Sequence, residues 1–65
     1  MEEIIAKLQD LNKADVMWTY RLTITEYGII VLNGYGPDGG QKHIPCYTVQ
    51  ELREEMYRII LNCKR

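Results

Sequence analysis

"VMWTYRLTITEYGIIVLNGYG", residues 16–36, is the stretch that decides the fold. Val16, Trp18, Tyr20, Leu22 and Ile24 alternate with Met17, Thr19, Arg21, Thr23 and Thr25. A period of two with one apolar and one mostly polar face predicts a half-buried strand over 16–25. Its β-branched and aromatic content agrees. Glu26-Tyr27-Gly28 suits a three-residue hairpin loop, a type I turn closed by glycine in the left-handed conformation with a bulge. That loop length fixes a register: Ile24 opposite Ile30, Leu22 opposite Leu32, Tyr20 opposite Gly34 and Trp18 opposite Gly36. A two-residue loop would set Leu22 against Asn33 and push Leu32 to the polar side, so the first register is preferred.

On the C-terminal side, "QKHIPCY" (41–47) reads as a short third strand with Ile44 and Cys46 on one face. Pro45 has no N–H to donate, which predicts an edge strand with Pro45 on its open side. Thr48 and Glu51 form the T-x-x-E capping box of a helix, and Tyr47 is placed to staple onto Leu52. Val49, Leu52, Met56, Ile59, Ile60 and Cys63 continue its apolar face, and Lys64 and Arg65 fall at its negative end. On the N-terminal side, Ile4, Ile5, Leu8 and Leu11 recur at helical spacing, predicting a helix over Glu2 to Asn12 with an exit by Asp15. The expected fold is α+β: a two-layer sandwich, helix, three-stranded antiparallel meander, helix, with both helices on the face bearing Trp18, Tyr20, Leu22 and Ile24.

Sixty-five residues make a single domain, 1–65. A chain this short buries only about 60% of the surface its unfolded form exposes, which brings self-association into view. An apolar fraction of 46% with 26% charged residues is that of a globular protein. Eight Lys or Arg stand against nine Asp or Glu, a formal charge of −1. Phosphate-neutralising domains carry a positive excess, so nucleic acid is disfavoured as a partner. No apolar run reaches membrane-spanning length, and the acidic start lacks the pattern of a secretory leader. A cytoplasmic location with no membrane partner follows as the expectation, and with it reduced, buried thiols at Cys46 and Cys63.

One motif invites a catalytic reading. Gly34-Tyr35-Gly36-Pro37-Asp38-Gly39 matches G-x-G-x-x-G. A dinucleotide loop needs a helix directly after the glycines, and none is expected before about Thr48. The turn reading accounts for each residue instead: Gly34 and Gly36 give way to the rings of Tyr20 and Trp18, and Pro37 to Gly40 turn the chain. No cofactor is expected. His43 and Cys46 are separated by an odd number and point to opposite faces of a strand, so with Cys63 they make no metal site. The chain has no serine for His43 to activate. Glu51, Glu54 and Glu55 read as a solvated helix face, with Glu54–Arg58 as an ion pair. No enzyme and no catalytic residue is expected.

What remains is the sheet face that no helix covers. In the preferred register it bears Thr19, Arg21, Thr23 and Thr25 beside Ile29, Val31, Asn33 and Tyr35, with His43 and Pro45. Such an apolar stripe either marks an interface or is a tolerable one that threonine methyls and the Arg21 stem shield; the small core favours the interface. The interface candidates are Arg21, Ile29, Val31, Asn33, Tyr35 and His43, and the expected function is a non-enzymatic protein-binding module using this face or the third-strand edge. The partner is a protein of unknown identity, with a homodimer as one form of it. Small inhibitors of bacterial defence nucleases, such as anti-CRISPR proteins of phages and mobile elements, are built at this scale. That is an analogy of size and architecture only, and no residue motif carries a family resemblance. The alternative is a small nucleic-acid-binding domain, with Arg21, Tyr27, Tyr35, Lys42 and His43 stacking on bases and contacting phosphate.

Overall fold

Loop chemistry sets the sheet. Thr25 N–H donates to Ile29 O (2.9 Å) and Gly28 N–H to Thr25 O (3.0 Å), around a Gly28 φ of 81° that glycine adopts without strain. The computed structural model, which describes residues 2–63, runs α1 (Glu2–Ala14), β1 (Thr19–Ile24), β2 (Ile30–Tyr35), β3 (Gln41–Cys46) and α2 (Val49–Cys63). The sheet is antiparallel in the order β1-β2-β3, and β1 pairs with β2 in the expected register, Ile24 with Ile30, Leu22 with Leu32 and Tyr20 with Gly34. The second hairpin repeats the first. Gly36 N–H donates to Gly40 O (2.8 Å) across Pro37-Asp38-Gly39, with Gly39 at φ 75°. Gly40 therefore lies outside the turn, facing Gly36.

Ladder bonds alternate along an antiparallel pair. Because Thr25 bonds to Ile29, the β1–β2 bonds lie at Thr23–Val31, Arg21–Asn33 and Thr19–Tyr35. Toward β3 they lie at Ile30–Cys46, Leu32–Ile44 and Gly34–Lys42, in phase with Gly36–Gly40. Pro45 thus turns its missing donor outward from the edge, as expected, and the ladder loses nothing there.

Three strands between two helices leave the helices parallel. Arg53 meets Glu3 at 3.0 Å, and Lys7 lies over the Tyr57 ring at 5.6 Å, both pairs being fifty residues apart. Both helices lie on one face of the sheet, α1 against β1 and α2 against β2 and β3. Ile4, Leu11, Tyr20, Leu32, Cys46, Leu52, Met56 and Ile60 form the core between the layers. Trp18 packs over Gly36, where an added Cβ would stand 3.0 Å from the indole ring. Gly36→Ala should therefore cost about 1–2 kcal/mol through overpacking, read as a lower urea midpoint at unchanged slope.

Several expectations are corrected. The strand begins at Thr19 rather than Val16, because the Asp15 carboxylate accepts the amides of Met17 and Trp18 (both 3.1 Å) and holds the chain in a loop. Val16 is 89% exposed as a result. At α2, Thr48 Oγ1 accepts Glu51 N–H (3.1 Å), but Glu51 reaches back to the amide of Tyr47 (2.7 Å) rather than to that of Thr48. Tyr47 itself stays largely exposed, so the staple on Leu52 does not close. Arg58 pairs with Glu55 at 3.1 Å rather than with Glu54, which accepts from Gln50. Both cysteines are free, Cys46 in the core but Cys63 exposed at the end of α2. Lys64 and Arg65 lie outside the described residues.

Candidate binding face

The register turns the uncovered side of the sheet into a three-by-three grid. Thr19, Tyr35 and Gln41 form one row, Arg21, Asn33 and His43 the next, and Thr23, Val31 and Pro45 the third. Ile29 borders the grid just before β2. Among the described residues, both helices lie on the opposite side.

The centre of the grid is polar and ordered. Asn33 Nδ2–H donates to Thr23 Oγ1 (2.7 Å), and His43 Nδ1 lies 2.7 Å from Asn33 Oδ1. An amide oxygen only accepts, so Nδ1 of His43 carries the proton and Nε2 is left toward solvent. These two bonds stitch all three strands together. They also revise one interface candidate: Asn33 is only 7% exposed, and it orients His43 instead of meeting a partner itself. Ile29 and Val31 are half-buried, while Tyr35, Arg21 and His43 are exposed. Thr19, Arg21 and Tyr35 line a shallow depression of about 310 Å³. The face therefore offers a ring, a guanidinium and an imidazole nitrogen around a fixed centre.

Lys42 lies on the other side of the sheet, its Nζ 4.6 Å from the Trp18 ring centroid and 5.2 Å from that of Tyr20. This removes a phosphate contact from the nucleic-acid alternative, and Tyr27 lies in the β1–β2 turn, outside the grid. Arg21 is then the one lysine or arginine at the nine grid positions. The glycine stretch joins β2 to β3, and the next helix starts only at Val49, so its amides face no helix N-terminus.

His43 on the open face and Cys46 in the core do point opposite ways, and among the described residues no three His, Cys, Asp or Glu side chains converge as metal ligands. Neither thiol is activated. Burial raises Cys46, reinforced by Glu55 and Glu51, while desolvation and the nearby Asp15 carboxylate raise Cys63.

No protein-family model, curated protein or solved structure matches this chain. No helix among the described residues is long and apolar enough to cross a membrane.

Sequence reasoning missed a second surface. Leu22 and Ile24 point to the helix side, as expected, but the helices do not reach the end of β1. Ile24 is 63% exposed and Ile5 51%. Between α1, the hairpin and the start of α2 lies an apolar groove of about 480 Å³, lined by Ile4, Ile5, Leu8, Leu22, Ile24 and Val49. Periodicity gives no signal for it, because each of these residues matches the core pattern of its own element.

Proposed function

We propose that the protein is a non-enzymatic protein-binding module that meets its partner through the open sheet face, with Tyr35, Arg21 and His43 as contacts. The observation that carries this reading is the stitched centre of the grid. Asn33 holds His43 and Thr23 in place, so exposed groups of three kinds are presented on a rigid sheet rather than on mobile loops. Tyrosine and arginine dominate the energetics of protein interfaces, and a preorganised face loses less entropy on binding. An inhibitor role rests on size and architecture alone, and no residue of the face adds to it.

The test is affinity capture with three immobilised baits: wild type, Arg21→Glu/Tyr35→Ala, and Tyr27→Ala as a control at the hairpin tip. A protein retained by wild type and Tyr27→Ala but reduced at least about tenfold on the double variant is expected, given hot-spot losses of about 2 kcal/mol or more. Circular dichroism should show the fold of all three unchanged. Equal retention on all three baits would refute the reading. A salt-sensitive gel shift with nucleic acid would move the assignment to the alternative.

A further inference from the structure

The two edges of the sheet are treated differently. On β3 the outward backbone positions are Gln41, His43 and Pro45, and Pro45 blocks a further ladder by having no donor. On β1 they are Tyr20, Leu22 and Ile24, since Arg21 and Thr23 bond to β2. Asn12 closes the first of these: Tyr20 N–H donates to its Oδ1 (2.7 Å) and its Nδ2–H donates to Tyr20 O (3.1 Å), in the place of a neighbouring strand. Leu22 and Ile24 have no such partner among the described residues. The free edge is therefore a window of two outward-facing residues, bounded by the Asn12 cap on one side and the turn at Thr25 on the other.

We infer that this window pairs with the same window of a second copy, antiparallel about a two-fold axis, to give a continuous six-stranded sheet. Leu22 of each copy would form the hydrogen-bonded pair with Ile24 of the other, making four backbone bonds, with Thr23 facing Thr23 on the axis. The register is set by the window itself. Pairing Leu22 with Leu22 would bring Ile24 onto Tyr20, whose groups Asn12 already occupies. Pairing Ile24 with Ile24 would bring the loop residue Glu26 onto Leu22. In the chosen register Arg21 faces Thr25, so no like charges oppose each other, and the cap of one copy meets the outgoing turn of the other.

The pairing is isologous, the commonest way in which a chain closes on itself. It also joins the exposed Ile24 and Ile5 of the two grooves, where a domain this small has apolar surface left over. A stable dimer buries about 800 Å² per partner, roughly a sixth of the 4717 Å² of this chain. The inference does not depend on the open-face reading; edge pairing would place two open faces side by side on one sheet.

Sedimentation equilibrium at rising concentration provides the test, on wild type, Ile24→Pro and Tyr35→Ala. Wild type and Tyr35→Ala should sediment at twice the chain mass, and Ile24→Pro at the chain mass with an unchanged circular dichroism spectrum. Proline there removes only an outward donor, as Pro45 does on β3. A monomeric wild type at millimolar concentration overturns the proposal, whatever else binds the edge. So does an Ile24→Pro variant that still dimerises. If Ile24→Pro fails to fold, oxidation of Thr23→Cys/Cys63→Ser decides. Facing residues of a non-hydrogen-bonded pair are close enough for a disulfide. A dimer cross-linked between the two introduced thiols therefore supports the register, and its absence contradicts it.

Discussion

Asp15→Ala should cost about 3 kcal/mol or more, the largest loss expected from any single side chain outside the apolar core. The carboxylate accepts three hydrogen bonds, from Met17 N–H, Trp18 N–H and the Tyr20 hydroxyl (2.9 Å). A bond to a charged acceptor contributes about 1.5–3 kcal/mol, and a buried hydroxyl left without its partner costs about 1–3 kcal/mol. Tyr20 is only 2% exposed, so water does not replace Asp15 freely. Against a total of about 3–10 kcal/mol for a domain of this length, the variant should unfold at a much lower urea concentration. In a Tyr20→Phe background the same substitution should cost about 1 kcal/mol less, because the stranded hydroxyl is gone. An equal cost in both backgrounds would mean that the Tyr20–Asp15 bond contributes nothing.

The same residue sets an acid dependence. Burial alone would raise the Asp15 carboxyl, but the hydrogen bonds from Tyr20, Trp18 and Met17 outweigh it and hold the group below its ordinary value. A carboxyl lowered in the folded state stabilises fully above its unfolded value of about 3.9, and that contribution is lost as pH falls through the lower folded value. Wild type should therefore lose stability below about pH 4 more steeply than Asp15→Asn. Parallel curves would contradict the assignment. Tyr20 moves the other way, raised by burial and then by its bond to Asp15 and the Asp15 charge, so it stays a neutral donor throughout this range.

The second large effect is expected at the middle of the sheet. Leu32 is fully buried on β2, the central strand, at a residue whose ladder bonds run to β3. Leu32→Ala should cost about 2–5 kcal/mol by transfer and cavity terms together, a large share of the stability expected for a domain of this length. Ile24→Ala is the informative comparison. Ile24 is also an apolar residue on the helix side of the sheet, but at 63% exposure it should cost the monomer well under 1 kcal/mol. Chemical denaturation of both variants, at low protein concentration to keep any association out, separates a residue that carries the fold from one left over at its edge.

These contrasts show where sequence patterns stop. The hairpin register was legible because a three-residue loop and a period of two demanded the same pairing, which in turn set glycines opposite large rings. The capped α2 and the outward Pro45 were legible for similar local reasons. Asp15 and Asn12 were not. Both stand in what reads as an ordinary helix exit, and each acquires its role only when the end of α1 is laid beside β1. The fate of Ile5 and Ile24 was equally hidden, since periodicity says which side a residue faces but not how far the covering layer extends. Lys42 shows the reverse error: read by charge alone it suggested phosphate, whereas its strand position commits it to the rings of Trp18 and Tyr20. On the candidate face the positions were legible from the register. The burial of Asn33 was not, because it depends on Thr23 and His43 closing over it from both flanking strands.

The most direct test of the binding-module account is to map the contact surface of the recovered partner by NMR, adding that protein to isotope-labelled wild type and following the backbone amides. Shifts or broadening concentrated at Thr19, Arg21, Tyr35, Gln41 and His43 are the predicted result. Perturbations confined to Ile5, Ile24 and Val49 around the helix-side groove, with the open face unchanged, would contradict it.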